Sequence, residues 1–104
     1  MIENEIRTLL DPPAAGRQAP SLAHIEDTLT AGYASALALE AERWRLERRI
    51  ADVVTAVANE EVVAHSSELT RLAHRLKAAD GDLANLRTLL ASLRKRAAEV
   101  RAAA

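Results

Sequence analysis

Two long runs of apolar positions dominate the chain, and within each run the spacing alternates between three and four residues. This alternation is the heptad pattern, which places apolar side chains along one face of an α-helix. The first run comprises Leu22, Ile25, Leu29, Gly32, Ala36, Leu39, Arg43, Leu46, Ile50, Val53 and Val57. The second run comprises Leu69, Leu72, Leu76, Ala79, Leu83, Leu86, Leu90, Leu93, Ala97 and Val100. We therefore expect an all-α protein built around two long helices.

The two runs are out of phase, which predicts a turn between them. Val57 and Leu69 hold the same heptad position, but their separation is neither one heptad nor two. A continuous coiled coil absorbs an insertion of three or four residues, but not this offset, without strain. Extending the second run backward brings Val62 into register with Leu69, which favours a turn at 58–61. The pattern thus predicts a long antiparallel, coiled-coil-like helical hairpin.

The boundaries of this organisation follow from proline, glycine and capping residues. We expect residues 1–20 to form a short N-terminal helix at 2–10 and a proline-rich linker, because proline cannot continue a helix. Ser21 is a candidate N-cap for the hairpin, which occupies residues 21–104. Helix one is predicted over about 21–58 and helix two over about 61–102.

The sequence Asp80-Gly81-Asp82 resembles a turn signal inside the second run. The heptad pattern nevertheless passes through it in phase and leaves Gly81 on the outer face. We therefore predict a continuous helix there, weakened by about 1 kcal/mol relative to alanine.

Helix one carries further large apolar side chains beside its heptad positions, whereas helix two has mainly alanine there, apart from Leu89. A solitary hairpin would leave this surface in water. We expect a third layer, supplied either by the folded-back segment 2–10 or by a second subunit, and a dimer of hairpins would form a four-helix bundle. The candidate interaction surface comprises Tyr33, Leu37, Trp44, Val54 and Leu89.

Trp44 has two interpretations: an anchor in the core or in an interface between subunits, or an exposed hot spot for another protein. Arg43 and Arg45 flank it and are candidates to stack on its ring. Arg43 is itself a charged break in the first run. It either fixes the register of the helices or is simply exposed through a local slip of the pattern.

No pattern that carries catalysis or metal binding occurs in the chain. There is no cysteine, and the three histidines lack the Glu-x-x-His and His-Glu-x-x-His spacings of metal-binding helices. Glu61 and His65 lie four residues apart, which favours a solvated helical pair over a metal site. Glycine-rich phosphate loops and the Gly-x-Ser-x-Gly elbow are also absent. We predict no catalytic residue, no metal, no cofactor and no enzymatic activity.

The charge distribution favours neither nucleic acid nor a membrane as a partner. The formal net charge is −1, and no apolar run approaches the roughly 20 residues that span a bilayer. The acidic segment 1–5 does not resemble a signal peptide, which favours a cytoplasmic protein. Arginine greatly outnumbers lysine, which is typical of a bacterial protein from a GC-rich genome. An antiparallel hairpin would also bring the acidic Glu26 and Asp27 alongside the basic residues 94–96.

These features predict a non-enzymatic helical module that self-associates, with a homodimer favoured, or that docks a protein partner. One alternative is a small helical secretion-associated protein or chaperone, because many such proteins are hairpins of this length. A second alternative is a ligand- or metal-binding helical bundle, which rests only on the histidines and scattered carboxylates.

Overall fold

In the computed structural model the chain is helical over most of its length. The structure describes residues 1–57 and 62–104, and within those ranges it contains helices and no strand, which confirms the all-α prediction. The turn predicted at 58–61 lies outside the described residues. The helices are α1 (Ile2–Leu10), α2 (Leu22–Val57) and α3 (Val62–Ala103).

The helix ends in the described ranges follow the chemistry of the local sequence. Asp11 is the C-cap of α1 and directly precedes the proline pair at 12 and 13, where the helix cannot continue. In the linker Gly16 has a φ of 90°, a backbone angle that favours glycine. Ser21 is the N-cap of α2, as predicted, since its Oγ accepts a hydrogen bond from the His24 N–H at 3.1 Å.

The helix α3 runs without interruption through Gly81, as the heptad phase predicted. Gly81 is exposed, and a Cβ added there would have nothing within 4 Å. The turn-like sequence around it therefore has no structural consequence for the helix.

The described residues divide into two compact units. Unit one comprises Met1–Leu37 and Ala84–Ala104, and unit two comprises Ala38–Leu83. In both units the heptad positions with a described environment are buried or partly buried. The two sequence runs thus mark the faces along which α2 and α3 meet.

Unit one is a three-helix arrangement of α1, the first part of α2 and the second part of α3. The α2 and α3 segments are antiparallel, since Glu26 pairs with Arg101 while Gly32 lies against Leu90 further along α2. Its most deeply buried large side chains are contributed by all three helices: Ile6, Ile25, Leu86 and Leu93. The segment 2–10 therefore supplies a third layer in this unit, one of the two sources that the sequence allowed.

Gly32 lies where side chains of α1 and α3 both reach the backbone of α2. A Cβ added to Gly32 would lie 2.5 Å from Cδ2 of Leu90 and 3.7 Å from Cδ1 of Ile6. The glycine break in the first heptad run is thus the position that lets α3 and α1 approach the backbone of α2.

Unit two is a pair of antiparallel helical segments. Glu42 pairs with Arg75 and Arg49 pairs with Glu68, so residue numbers rise along α2 as they fall along α3. Leu46, Val53, Leu72 and Ala79 form the buried cluster between the segments. Ile50, Leu69 and Leu76 pack against that cluster and are partly buried.

Candidate interaction surface

Four of the five residues predicted to form an interaction surface are exposed on α2. In unit one Tyr33 is 41% and Leu37 is 66% exposed; in unit two Trp44 is 58% and Val54 is 54% exposed. The fifth residue, Leu89 of α3, is partly buried. Trp44 is therefore not part of the core of its own chain. Of its two interpretations, the core anchor within one chain is wrong, and a role in an interface remains.

The indole of Trp44 is covered on one face by an arginine. The guanidinium carbon of Arg48 lies 5.3 Å from the ring centroid, a cation–π distance. The sequence suggested Arg43 and Arg45 as the stacking residues, but Arg48 is the one that lies over the ring. The spacing of four residues between Trp44 and Arg48 is the signal that could have identified the pair, because such residues are neighbours on a helix surface.

The arginines adjacent to Trp44 are engaged in ion pairs within unit two. Arg45 lies 3.0 Å from Glu42, and Arg43 lies 3.4 Å from Asp80 and 3.7 Å from Glu47. The Arg43 side chain is 38% exposed, so this break in the heptad run sits at the edge of the α2–α3 contact with its charge paired across the helices.

The α2–α3 ion pair of Arg49 and Glu68 has two hydrogen bonds to one carboxylate oxygen. Both Nε and Nη2 of Arg49 donate to Oε1 of Glu68, at 3.1 Å and 2.7 Å. Glu68 is 24% exposed, which is less than the 37–54% of the acids that pair with Arg43, Arg45 and Arg75. Of the four arginines in residues 43–49, Arg43 and Arg49 therefore pair across to α3, an arrangement that does not need a phosphate ligand.

In unit one Arg96 holds the end of α1. Its guanidinium donates to the carbonyl of Leu10 at 2.8 Å and to the carbonyl of Pro12. The last carbonyls of a helix lack hydrogen-bond partners within the helix and carry partial negative charge. A guanidinium group supplies both the hydrogen-bond donors and the positive charge. The Arg96 side chain is 20% exposed and also lies 3.7 Å from Glu99.

The opposite charges near the two ends of the chain meet within unit one, but through a different residue from those expected. Arg101, rather than the residues at 94–96, pairs with Glu26, at 3.1 Å between Nη2 and Oε1. Both side chains are more than half exposed, so the pair contributes little to stability. The sequence predicted that the oppositely charged ends would meet. It did not predict that Arg96 would instead bind the carbonyls of Leu10 and Pro12, because that contact depends on where α1 packs.

The next features concern metal binding, pockets and membrane spans among the residues that the structure describes. Among them no group of three or more histidine, aspartate or glutamate side chains is placed to hold a metal ion. A shallow depression in unit one lies between the linker and the end of α3 and is lined by small apolar residues and Ser21, whose hydroxyl already caps α2. None of the helices in the described ranges is long and apolar enough to cross a membrane.

No protein-family model, curated protein or solved structure matches the chain. The surface of the molecule is therefore the basis for inferring its function. Its most distinctive feature is the set of exposed apolar side chains on α2.

Proposed function

We propose that this protein is a non-enzymatic helical module that self-associates, two hairpins joining into a four-helix bundle. The observation that supports it is the exposure of Tyr33, Leu37, Trp44 and Val54, between 41% and 66%, on a single helix. Burying one large apolar side chain completely is worth about 1.5–3 kcal/mol, so covering such a set provides a substantial driving force.

The exposed set cannot be attributed to the contacts that α2 makes within its own chain. The heptad face of α2 is already buried, against α1 and α3 in unit one and against α3 in unit two. A helix with a second group of large apolar side chains outside its buried face is typical of an interaction site. A symmetric dimer is the simplest way to cover it, because each copy offers the same surface to the other.

Sedimentation equilibrium tests the proposal. We expect the protein to associate as its concentration rises from about 10 µM to about 1 mM, the range of weak protein–protein interfaces. Trp44→Ala and Leu37→Ala should each shift the equilibrium toward monomer, whereas Lys77→Ala, an exposed change on α3, should leave it unchanged. Helical content and melting temperature, followed by circular dichroism, show whether each variant is folded.

A chain that stays monomeric over this whole range would contradict the proposal. Capture of one dominant partner by a monomeric chain, lost on Trp44→Ala, would instead identify the protein as a docking module of the chaperone or secretion-associated kind.

A further inference from the structure

The helix α1 is attached to the rest of unit one by few contacts. Of its nine residues, Ile6 and Leu9 are buried. The linker that joins it to α2, residues 11–21, contains no buried residue. A helix of this length is not stable in water by itself, so its order depends on what it packs against. That support consists of the two buried side chains and of the hydrogen bonds that Arg96 donates at its C-terminal end.

The helices α2 and α3 have contacts of their own that do not involve α1. In unit one Glu26 pairs with Arg101, and Gly32 lies directly against Leu90. Unit two consists of the same two helices, and a buried apolar cluster lies between them with no third helix among its described residues. We therefore expect α2 and α3 to stay paired when α1 leaves its place.

The surface that α1 covers contacts general features of a helix. On the α2 side, Cδ1 of Ile6 lies 3.7 Å from where the Cβ of Gly32 would be, so a branched apolar side chain fits against a bare backbone. On the α3 side, Arg96 donates to the main-chain carbonyls of Leu10 and Pro12. Every helix presents unpaired carbonyls at its C-terminal end. Another amphipathic helix of similar length can therefore make the same contacts.

We propose that α1 is a displaceable helix that blocks a helix-binding groove between α2 and α3 in unit one. It leaves the groove while α2 and α3 stay paired, and the groove then binds the amphipathic helix of a partner. That helix has apolar side chains three and four residues apart, as Ile6, Leu9 and Leu10 are in α1, and a free C-terminal end for Arg96. The docked α1 is thus an autoinhibitory contact, and it does not require self-association.

Native-state hydrogen exchange of the full chain at low urea concentrations tests the opening. After correction for intrinsic rates, we expect the backbone amides of residues 6–10 to exchange at least about tenfold faster than those of residues 86–93 in α3. The exchange of α1 should also depend less on urea, because its opening exposes less surface than unfolding of the whole chain. Equal rates and equal urea dependence in both segments would overturn the independent opening.

A synthetic peptide of residues 1–13 tests whether the uncovered groove takes a helix. Ile6→Asn in the full chain should undock α1, whereas Thr8→Asn introduces the same residue at an exposed position and is the control. With about 1 mM peptide we expect the NMR signals of the Gly32 and Leu90 amides to shift in the Ile6→Asn chain. The native chain and the control should bind at least about tenfold more weakly, because only their open fraction is competent. A peptide that itself carries Ile6→Asn should shift no signal.

These measurements, made at one fixed chain concentration, separate a displaceable helix from a permanent part of the core. Loss of helical content or exchange protection in α2 and α3 of the Ile6→Asn chain would overturn the proposal, since their pairing would then require α1. Unshifted Gly32 and Leu90 signals in that chain would overturn the helix-binding groove. Equally tight binding of the peptide to the native chain would show that α1 does not block the site.

Discussion

Replacing Gly32 with alanine isolates the contact at which the three helices of unit one meet. Alanine is favoured over glycine in a helix by up to about 1 kcal/mol, so the local preference of α2 predicts stabilisation. The tertiary contact predicts the opposite, because the new Cβ would lie 2.5 Å from Cδ2 of Leu90 and 3.5 Å from its Cγ.

The surroundings give the clash little room to relax. Leu90 is 3% exposed and Ile6, the next nearest side chain, is fully buried. Overpacking of a filled core costs about 1–3 kcal/mol. Set against the gain in helix preference, Gly32→Ala should destabilise the protein by about 0–2 kcal/mol.

Gly81→Ala is the matched control, since it makes the same chemical change inside a helix with nothing within 4 Å. It should stabilise by up to about 1 kcal/mol, so the two variants should differ by about 1–3 kcal/mol. Urea denaturation followed by circular dichroism measures both, at one fixed protein concentration because association would shift the midpoint.

A Gly32→Ala variant that is stabilised as much as Gly81→Ala would refute the close approach. A second variant locates the strain: Leu90→Ala should cost less in the Gly32→Ala background than in the native chain. We expect the coupling to lie within about 0.5–3 kcal/mol, as for residues in direct contact.

Three further predictions concern the contacts that hold the helices together. Arg96→Ala should lower the free energy of unfolding by about 1.5–3 kcal/mol and speed amide hydrogen exchange in α1, because it removes a charged donor from two carbonyls. The same substitution at the exposed Arg94 should have neither effect. Unchanged hydrogen exchange in α1 of the Arg96→Ala variant would contradict the capping role. A double-mutant cycle on Arg49 and Glu68 should give a coupling of about 0.2–1 kcal/mol that falls as salt rises, and a coupling insensitive to salt would argue against an ion pair. Leu86→Ala, at a fully buried position, should cost about 2–5 kcal/mol in urea denaturation, and a loss below about 1 kcal/mol would be inconsistent with that burial.

The periodicity of the sequence was sufficient to predict the two long helices, because buried positions on a helix recur with each helical turn. The heptad positions with a described environment are buried or partly buried, and the in-phase passage through Gly81 predicted the continuity of α3. The cap at Ser21 was also predictable, because an N-cap is a contact between residues three apart in the chain.

The exposed surface was predicted only in part. The exposure of Trp44 and Leu37 follows from their positions off the heptad face, and the sequence placed both in the candidate surface. Leu89 was assigned to the same surface but is partly buried. The Arg48–Trp44 contact was missed although its spacing of four residues is a local signal.

The sequence by itself determined where the chain is helical and which helical faces are buried, because both depend on residues a few positions apart. Only the tertiary structure decided that α1 closes unit one, that Gly32 makes room for Leu90, and that Arg96 binds the carbonyls of Leu10 and Pro12. Those contacts join residues more than fifty positions apart or depend on how closely two backbones approach. A one-dimensional pattern of apolar positions shows which side chains face inward. It does not show which distant residues those side chains contact or how closely two helices approach.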